Sequence, residues 1–145
     1  MDFHLRKATM RDAEAICRLS GELGYKTTIE NTKIRLEEVS RNDDHFVVVV
    51  YDHQKVVGWI HAFYSISIES DSFIEIGGLV IDNTYRRTGL GKMLVEKIIE
   101  WSQLKKTNKL RVRSNVIRKE THQFYESMGF SLTKEQKVFD LKVKY

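Results

Sequence analysis

The stretch from Ile74 to Lys92 constrains this chain more than any other. It reads Ile74-Glu75-Ile76-Gly77-Gly78-Leu79-Val80-Ile81-Asp82-Asn83-Thr84-Tyr85-Arg86-Arg87-Thr88-Gly89-Leu90-Gly91-Lys92. An apolar strand runs into a short loop, and the loop opens a helix with Leu90, Leu94, Ile98 and Trp101 on one face. The first turn of a helix carries unpaired N–H groups and the positive end of the dipole. Glycines there let a phosphate reach the backbone, and Arg86, Arg87 and Lys92 add charge around it. There is no G-x-x-x-x-G-K-[ST] loop of nucleotide triphosphatases, and no G-x-G-x-x-G after the first strand. The motif present is Arg86-x-x-Gly89-x-Gly91.

Charge supports an anionic partner at this place. The 145 residues carry a formal charge of +4, but unevenly. From Arg86 to Lys119 there are eleven Lys or Arg against Glu96 and Glu100, a local balance of +9 that leaves −5 for the rest. Nucleic acid and a polyphosphate cofactor both fit that balance. Nucleic acid would call for aromatics interleaved with the basic residues, and this stretch has only Trp101, inside an apolar stripe.

The length suits one domain over residues 1–145 with one core. The N-terminus has no apolar stretch of signal-peptide length, and the longest aliphatic run, Val47 to Val50, is too short to span a membrane. A cytoplasmic location without membrane contact is expected. The single cysteine, Cys17, excludes an internal disulfide and reads as a small buried hydrophobe. The five histidines are scattered, so no metal site is expected.

Chain order follows from periodicity and from Gly, Asn and Asp, since there is no proline. Phe3 to Lys7 reads as a strand. Thr9 caps a helix through Leu23, with Asp12 completing an imperfect capping box, and Gly24 closes it. A second helix runs from about Thr28 to Ser40. His45 to Tyr51 and Val56 to Ile68 form a hairpin, followed by a strand over Phe73 to Asp82. Gly77-Gly78 marks a bulge or a close backbone approach. A helix from Gly89 to Leu104, a strand over Leu110 to Ser114 and a helix from Arg118 to Met128 come next, with Gly129 as C′ glycine. Phe130 to Leu132 and Val138 to Val143 read as closing strands, the latter by alternation. The order β-α-α-β-β-β-α-β-α-β-β predicts an α/β fold with a mixed sheet and helices on its faces.

Arg86-x-x-Gly89-x-Gly91, set between that strand and that helix, resembles the R/Q-x-x-G-x-G/A signature of the GNAT superfamily of N-acetyltransferases. Gln123-Phe124-Tyr125-Glu126-Ser127-Met128-Gly129-Phe130 is similar to its second landmark, a helix ending in Tyr-Glu-x-x-Gly-Phe. Arg6-Lys7-Ala8-Thr9 with Asp12-Ala13 resembles its opening, and Gly58 matches a glycine common in its third strand. The likeness spans essentially the whole chain and points to stand-alone bacterial members, some like aminoglycoside acetyltransferases. Two departures stand out: no proline near Asn83, and Arg87 where glycine is frequent.

The resemblance implies a GNAT-like acyl-CoA N-acyltransferase fold and acetyl-CoA as co-substrate. It puts the CoA pyrophosphate on the amides of Arg87, Thr88, Gly89, Leu90, Gly91 and Lys92, beside Arg86. It has the pantetheine arm pair with Leu79, Val80 and Ile81, with the Leu79 amide polarising the thioester carbonyl. Tyr125 maps onto the general acid that protonates the leaving thiolate; by spacing alone it reads as core, and the match to Tyr-Glu-x-x-Gly-Phe reverses that. Glu75 is the candidate base, with an exposed strand carboxylate as the plain alternative, and His61 and His122 as further candidates. Asn115 is a candidate pantetheine ligand. The acceptor is a small-molecule or peptide amine, and a homodimer stays open. Glu30, Glu37, Glu38, Asp43 and Asp44 lie in the region that builds acceptor sites in this family, where they would suit a cationic amine. A non-catalytic acyl-CoA sensor of the same fold is the alternative function.

Overall fold

A computed structural model describes residues 1–145. The chain forms two compact units, Met1–Arg113 and Ser114–Tyr145. The first holds β1 (Phe3–Lys7), α1 (Ala13–Glu22), α2 (Ile29–Ser40), β2 (His45–Asp52), β3 (Lys55–Ser65), β4 (Phe73–Ile81), α3 (Leu90–Leu104) and β5 (Leu110–Val112). The second holds α4 (Lys119–Ser127). No helix is long and apolar enough to cross a membrane.

The five strands form one sheet in chain order. β1 to β4 are antiparallel neighbours, and β5 joins β4 in parallel. Direct connections join β2 to β3 and β3 to β4, α1 and α2 lie between β1 and β2, and the parallel neighbour β5 requires a crossover, here through α3. The Val47–Val50 run is buried throughout because both faces of β2 are covered. Val47 and Val49 join Ala13, Ile16, Leu19 and Leu36 of α1 and α2 in one cluster. Alternation leaves Val48 and Val50 for the other side, and α3 packs on β2, β3 and β4. Of the expected α3 stripe, Leu90, Leu94 and Ile98 are buried, and Trp101 stacks on Phe46 at 5.3 Å.

Local signals place most boundaries. The Thr28 hydroxyl accepts from the Asn31 amide at 3.1 Å and caps α2. Gly129, at φ +98°, ends α4: its N–H donates to Glu126 O and that of Phe130 to Tyr125 O, a Schellman closure. Cys17 is half-buried rather than buried, its Sγ 3.6 Å from Thr27 O. α2 is nearly apolar-stripe-free, with Leu36 buried but Ile34 exposed.

The closing strands expected over Phe130–Leu132 and Val138–Val143 are not formed: residues 131–145 lie in no helix or strand and are all exposed. Alternation marks which residues share a face, but a strand exists only where a neighbour takes up its N–H and C=O groups. β3 ends at Ser65, three residues short of the expected Ile68, and β5 ends at Val112 because β4 pairs with it only over Ile74–Ile76.

One ion pair fixes the entry to the first helix. Arg6 donates to Asp12 Oδ2 and Oδ1 at 2.7 and 2.9 Å, and the Thr9 amide donates to Oδ2 at 2.7 Å. Burial pushes the Asp12 carboxyl up, but Arg6 and the Thr9 amide outweigh it and hold it below the usual range. Asp12→Ala leaves Arg6 and the Thr9 amide without their acceptor. We expect it to lower stability by about 2 kcal/mol, discounted because Arg6 is partly exposed. Urea unfolding at neutral pH checks the size. The loss should shrink as pH falls through the depressed pKa, where wild type also loses the pair.

Candidate active site

The strand preceding the loop is bent by a bulge. In the β3–β4 ladder His61 pairs with Gly78 and Ala62 with Ile76, so Gly77 is left over. The bulge changes which way the backbone points. The Ile74 amide donates toward β5, to Lys109 O at 2.9 Å, whereas the Asp82 amide donates toward β3, to Val57 O at 2.8 Å. Alternate residues of a strand point their N–H groups the same way, so Val80 faces β3 with Asp82, and Leu79 and Ile81 face the opposite side. On that side β5 stops opposite Ile76. The amides of Leu79 and Ile81 therefore lie along an edge that no strand of the sheet pairs. Gly78 is required for close packing: a Cβ there would stand 2.8 Å from the Trp59 ring.

Asp82 holds the turn that follows. Its Oδ1 accepts from the Thr84 amide and hydroxyl, both at 2.9 Å, while Arg18 and Lys55 lie 3.7 and 3.9 Å from Oδ2. Burial raises its pKa, the Thr84 bonds and the charges of Lys55 and Arg18 together outweigh that, and the net is a depressed carboxyl. This is an Asx-type turn, formed without proline. Tyr85 donates to Asp52 Oδ2 at 3.0 Å, and the Thr88 hydroxyl donates to Tyr85 O. Arg87 and Gly89 both lie in the left-handed region, at φ +62° and +85°. Met93 is the first residue of α3 whose amide bonds four residues back, to Gly89 O at 3.1 Å. The amides of Leu90, Gly91 and Lys92 are thus the free donors of the first turn. Nothing lies within 4 Å of a Cβ placed on Gly89, and Arg86, Arg87 and Lys92 are exposed around it. Donors, dipole and charge suit a polyphosphate.

Beside the bulge are the candidate bases. One oxygen of Glu75 is held by Arg113 Nε at 3.1 Å. His61 Nε2 lies 2.9 Å from His45 Nδ1, and its Nδ1 is 3.4 Å from where a Gly77 Cβ would be. Burial first, then the His45 charge, push His61 down from 6.5 to about 4, so it is neutral at physiological pH. This pair joins two strands sixteen residues apart in sequence, and no local pattern announces it. Among the acids near the expected acceptor region, Glu37 is paired with Arg41 and Asp44 with Lys105.

The second unit carries Asn115, His122 and Tyr125. Asn115 Oδ1 accepts from the Ile117 amide at 3.1 Å, which leaves its NH₂ for other contacts. His122 Nε2 donates to Asn115 O at 2.9 Å and is committed to that turn. Tyr125 is buried, with Phe124 and Phe130 edge-on at 5.1 and 5.2 Å. Burial pushes its phenol up to about 12, which keeps the proton on the oxygen.

An unpaired strand edge running into a glycine-opened helix N-terminus is suited to an extended ligand that ends in phosphate. Residues 9–130 match the model of the Acetyltransferase (GNAT) family. The chain belongs to that family and is an acetyl-CoA-dependent N-acetyltransferase. It is 26% identical over 132 residues to an uncharacterized N-acetyltransferase of Bacillus subtilis, YhdJ, covering 89% of this chain and 92% of that protein. Glucosamine-6-phosphate N-acetyltransferase from Arabidopsis thaliana superposes with a TM-score of 0.82 at 24% identity, over 98% of this chain and 100% of that one. An aminoglycoside N-acetyltransferase solved with CoA gives 0.88 at 14% identity, over 98% and 96%. At such identities these two structures bear on the fold alone.

The depressed His61 gives a pH signature. The unfolded chain binds a proton near 6.5 that the folded chain takes up only near 4, so stability should fall as pH drops through this window. In His61→Gln the slope of unfolding free energy against pH, measured by urea titration, should flatten by nearly one proton there. An unchanged slope would remove His61 from the account.

Proposed function

We propose that this enzyme, one catalytic domain over residues 1–145, transfers the acetyl group of acetyl-CoA directly to a primary amine of a small molecule or peptide. The observation that carries this reading is the edge with the outward amides of Leu79 and Ile81, continuous with the free first turn of α3. Such an edge fits a pantetheine arm added like a strand beside Leu79, Val80 and Ile81, and it ends where phosphates are best held. The amides from Arg87 to Lys92 then receive the pyrophosphate, with the Arg86 side chain supplementing them, and the Asn115 NH₂ is free to bond the arm.

In the transfer, the amine nitrogen forms a bond to the thioester carbonyl carbon and the C–S bond breaks. The Leu79 N–H donates to the carbonyl oxygen as it gains negative charge. Glu75, held by Arg113, takes the amine proton directly or through water. Tyr125, kept protonated by burial, gives its proton to the departing thiolate. His61 supports a second assignment of the base, since it is neutral, lies beside the Gly77 bulge and has His45 behind it to pass the proton on. The aminoglycoside and amino-sugar substrates in the names of the similar proteins make amino sugars the first acceptors to screen.

Two variants test the reading. Gly89→Asp adds a carboxylate and a side chain at φ +85°, and should weaken CoA binding by calorimetry at least a hundredfold while the fold persists. Unchanged affinity in a folded variant would discard the phosphate site. Tyr125→Phe removes only the hydroxyl, so single-turnover acetyl transfer should slow by about a hundredfold or more with CoA affinity little changed. A wild-type single-turnover rate would end its role as acid.

A further inference from the structure

Tyr85 stands in the turn between β4 and α3, and each of its polar groups is spent. Its N–H donates to Asp82 O at 2.9 Å, its carbonyl accepts from the Thr88 hydroxyl, and its phenol donates to Asp52 Oδ2 at 3.0 Å. The first two bonds lie within the turn. The third crosses 33 residues of sequence to the last residue of β2, a strand paired on both sides.

Asp52 is a firm acceptor. Its side chain is only 11% exposed, and its other oxygen accepts from the Asp2 amide at 3.0 Å. That amide first, and the Tyr85 hydroxyl after it, hold the carboxyl below the usual range, so it is charged at neutral pH. A hydroxyl donating to a charged oxygen makes a stronger bond than one donating to a neutral acceptor. The Phe3 ring lies edge-on to Tyr85 at 5.9 Å and packs the phenol from the side of β1.

The loop beyond Tyr85 calls for such an anchor. Arg87 holds a left-handed φ of +62° without being glycine, and Gly89 follows at +85°. A side chain in that region is strained, and the strain persists only where surrounding contacts leave the backbone no alternative. In a loop free to relax, the amides from Arg87 to Lys92 would lose their alignment. The cost of ordering them again would be subtracted from the affinity of any phosphate bound there.

We propose that Tyr85 and Asp52 are positioning residues for CoA, their bond holding the loop in its phosphate-receiving shape before the ligand arrives. Neither side chain needs to touch the ligand. The inference rests on the reading that the pyrophosphate sits on the amides from Arg87 to Lys92. Its effect is confined to that end, because the pantetheine arm lies along Leu79 to Ile81, ahead of the turn.

Tyr85→Phe removes one hydroxyl and keeps the ring against Phe3. Dissociation constants are measured for CoA by calorimetry and for pantetheine, which lacks the phosphates, by NMR titration. Loss of one bond to a charged group predicts about tenfold weaker CoA binding, with pantetheine changed by less than about twofold. Unchanged CoA affinity, or an equal loss for both ligands as a loosened fold would give, overturns the proposal. If wild type binds CoA no more tightly than pantetheine, the phosphate reading fails and this inference falls with it. A wild-type preference that survives Tyr85→Phe sinks the inference alone. In Asp52→Ala the Tyr85 hydroxyl has lost its acceptor, so adding Tyr85→Phe should weaken CoA by less than about twofold more. A second full loss would overturn the assignment to Asp52. Should Asp52→Ala fail to fold, the Tyr85→Phe comparison decides.

Discussion

The leftover residue at Gly77 is the constraint on which the candidate site depends. A strand alternates its N–H groups strictly, so one inserted residue reverses the direction of every amide beyond it. Before the bulge, Ile74 donates to the strand turn leading into β5; after it, Asp82 donates to β3. The reversal aims Leu79 and Ile81 at the side where β5 has already ended. Without it, Gly78 and Val80 would face outward, and the row of free amides would be displaced by one residue from the helix that continues it. Gly77 and Gly78 permit this because the Phe63 and Trp59 rings occupy the space a Cβ would need.

Buried charge serves the same geometry from two ends. Asp12 ties the first strand to the first helix through Arg6, and Asp82 ties the end of β4 to the loop through Thr84. In both, burial alone would push the carboxyl toward neutrality, and directed donors reverse that. Each carboxylate therefore holds its turn only while the donors stay in place. The Asp82–Thr84 bonds fix the turn between the free edge and the first turn of α3. Tyr125 shows the opposite use of burial, where no donor intervenes and the phenol keeps its proton.

Much of this was legible along the chain. Caps and closures depend on residues three or four apart, so Thr28, Gly89 and Gly129 mark their helix ends directly. The Val47–Val50 run and the Leu90, Leu94, Ile98 stripe announce burial by period alone. The candidate site was only half legible. Arg86-x-x-Gly89-x-Gly91 can be read as an anion site because its parts are adjacent. The Arg113 contact to Glu75, from just past β5, and the His45–His61 pair join residues brought together by neighbouring strands, and their contact depends on register.

The tail marks the boundary between the two kinds of information. Its alternation has the period of a strand, yet residues 131–145 lie in none. By itself, the sequence determined the order of elements through α4, the glycine-opened turn before α3, and the membership of a family of N-acetyltransferases. These are carried by local spacing and by motifs whose residues are neighbours in the chain. Only the tertiary structure decided which way the β4 amides point, which candidate base is already paired, and that the last strand pattern goes unpartnered. Hydrogen bonds between strands are made by backbone groups that every residue has, so side-chain identity cannot choose among registers until the strands are packed together.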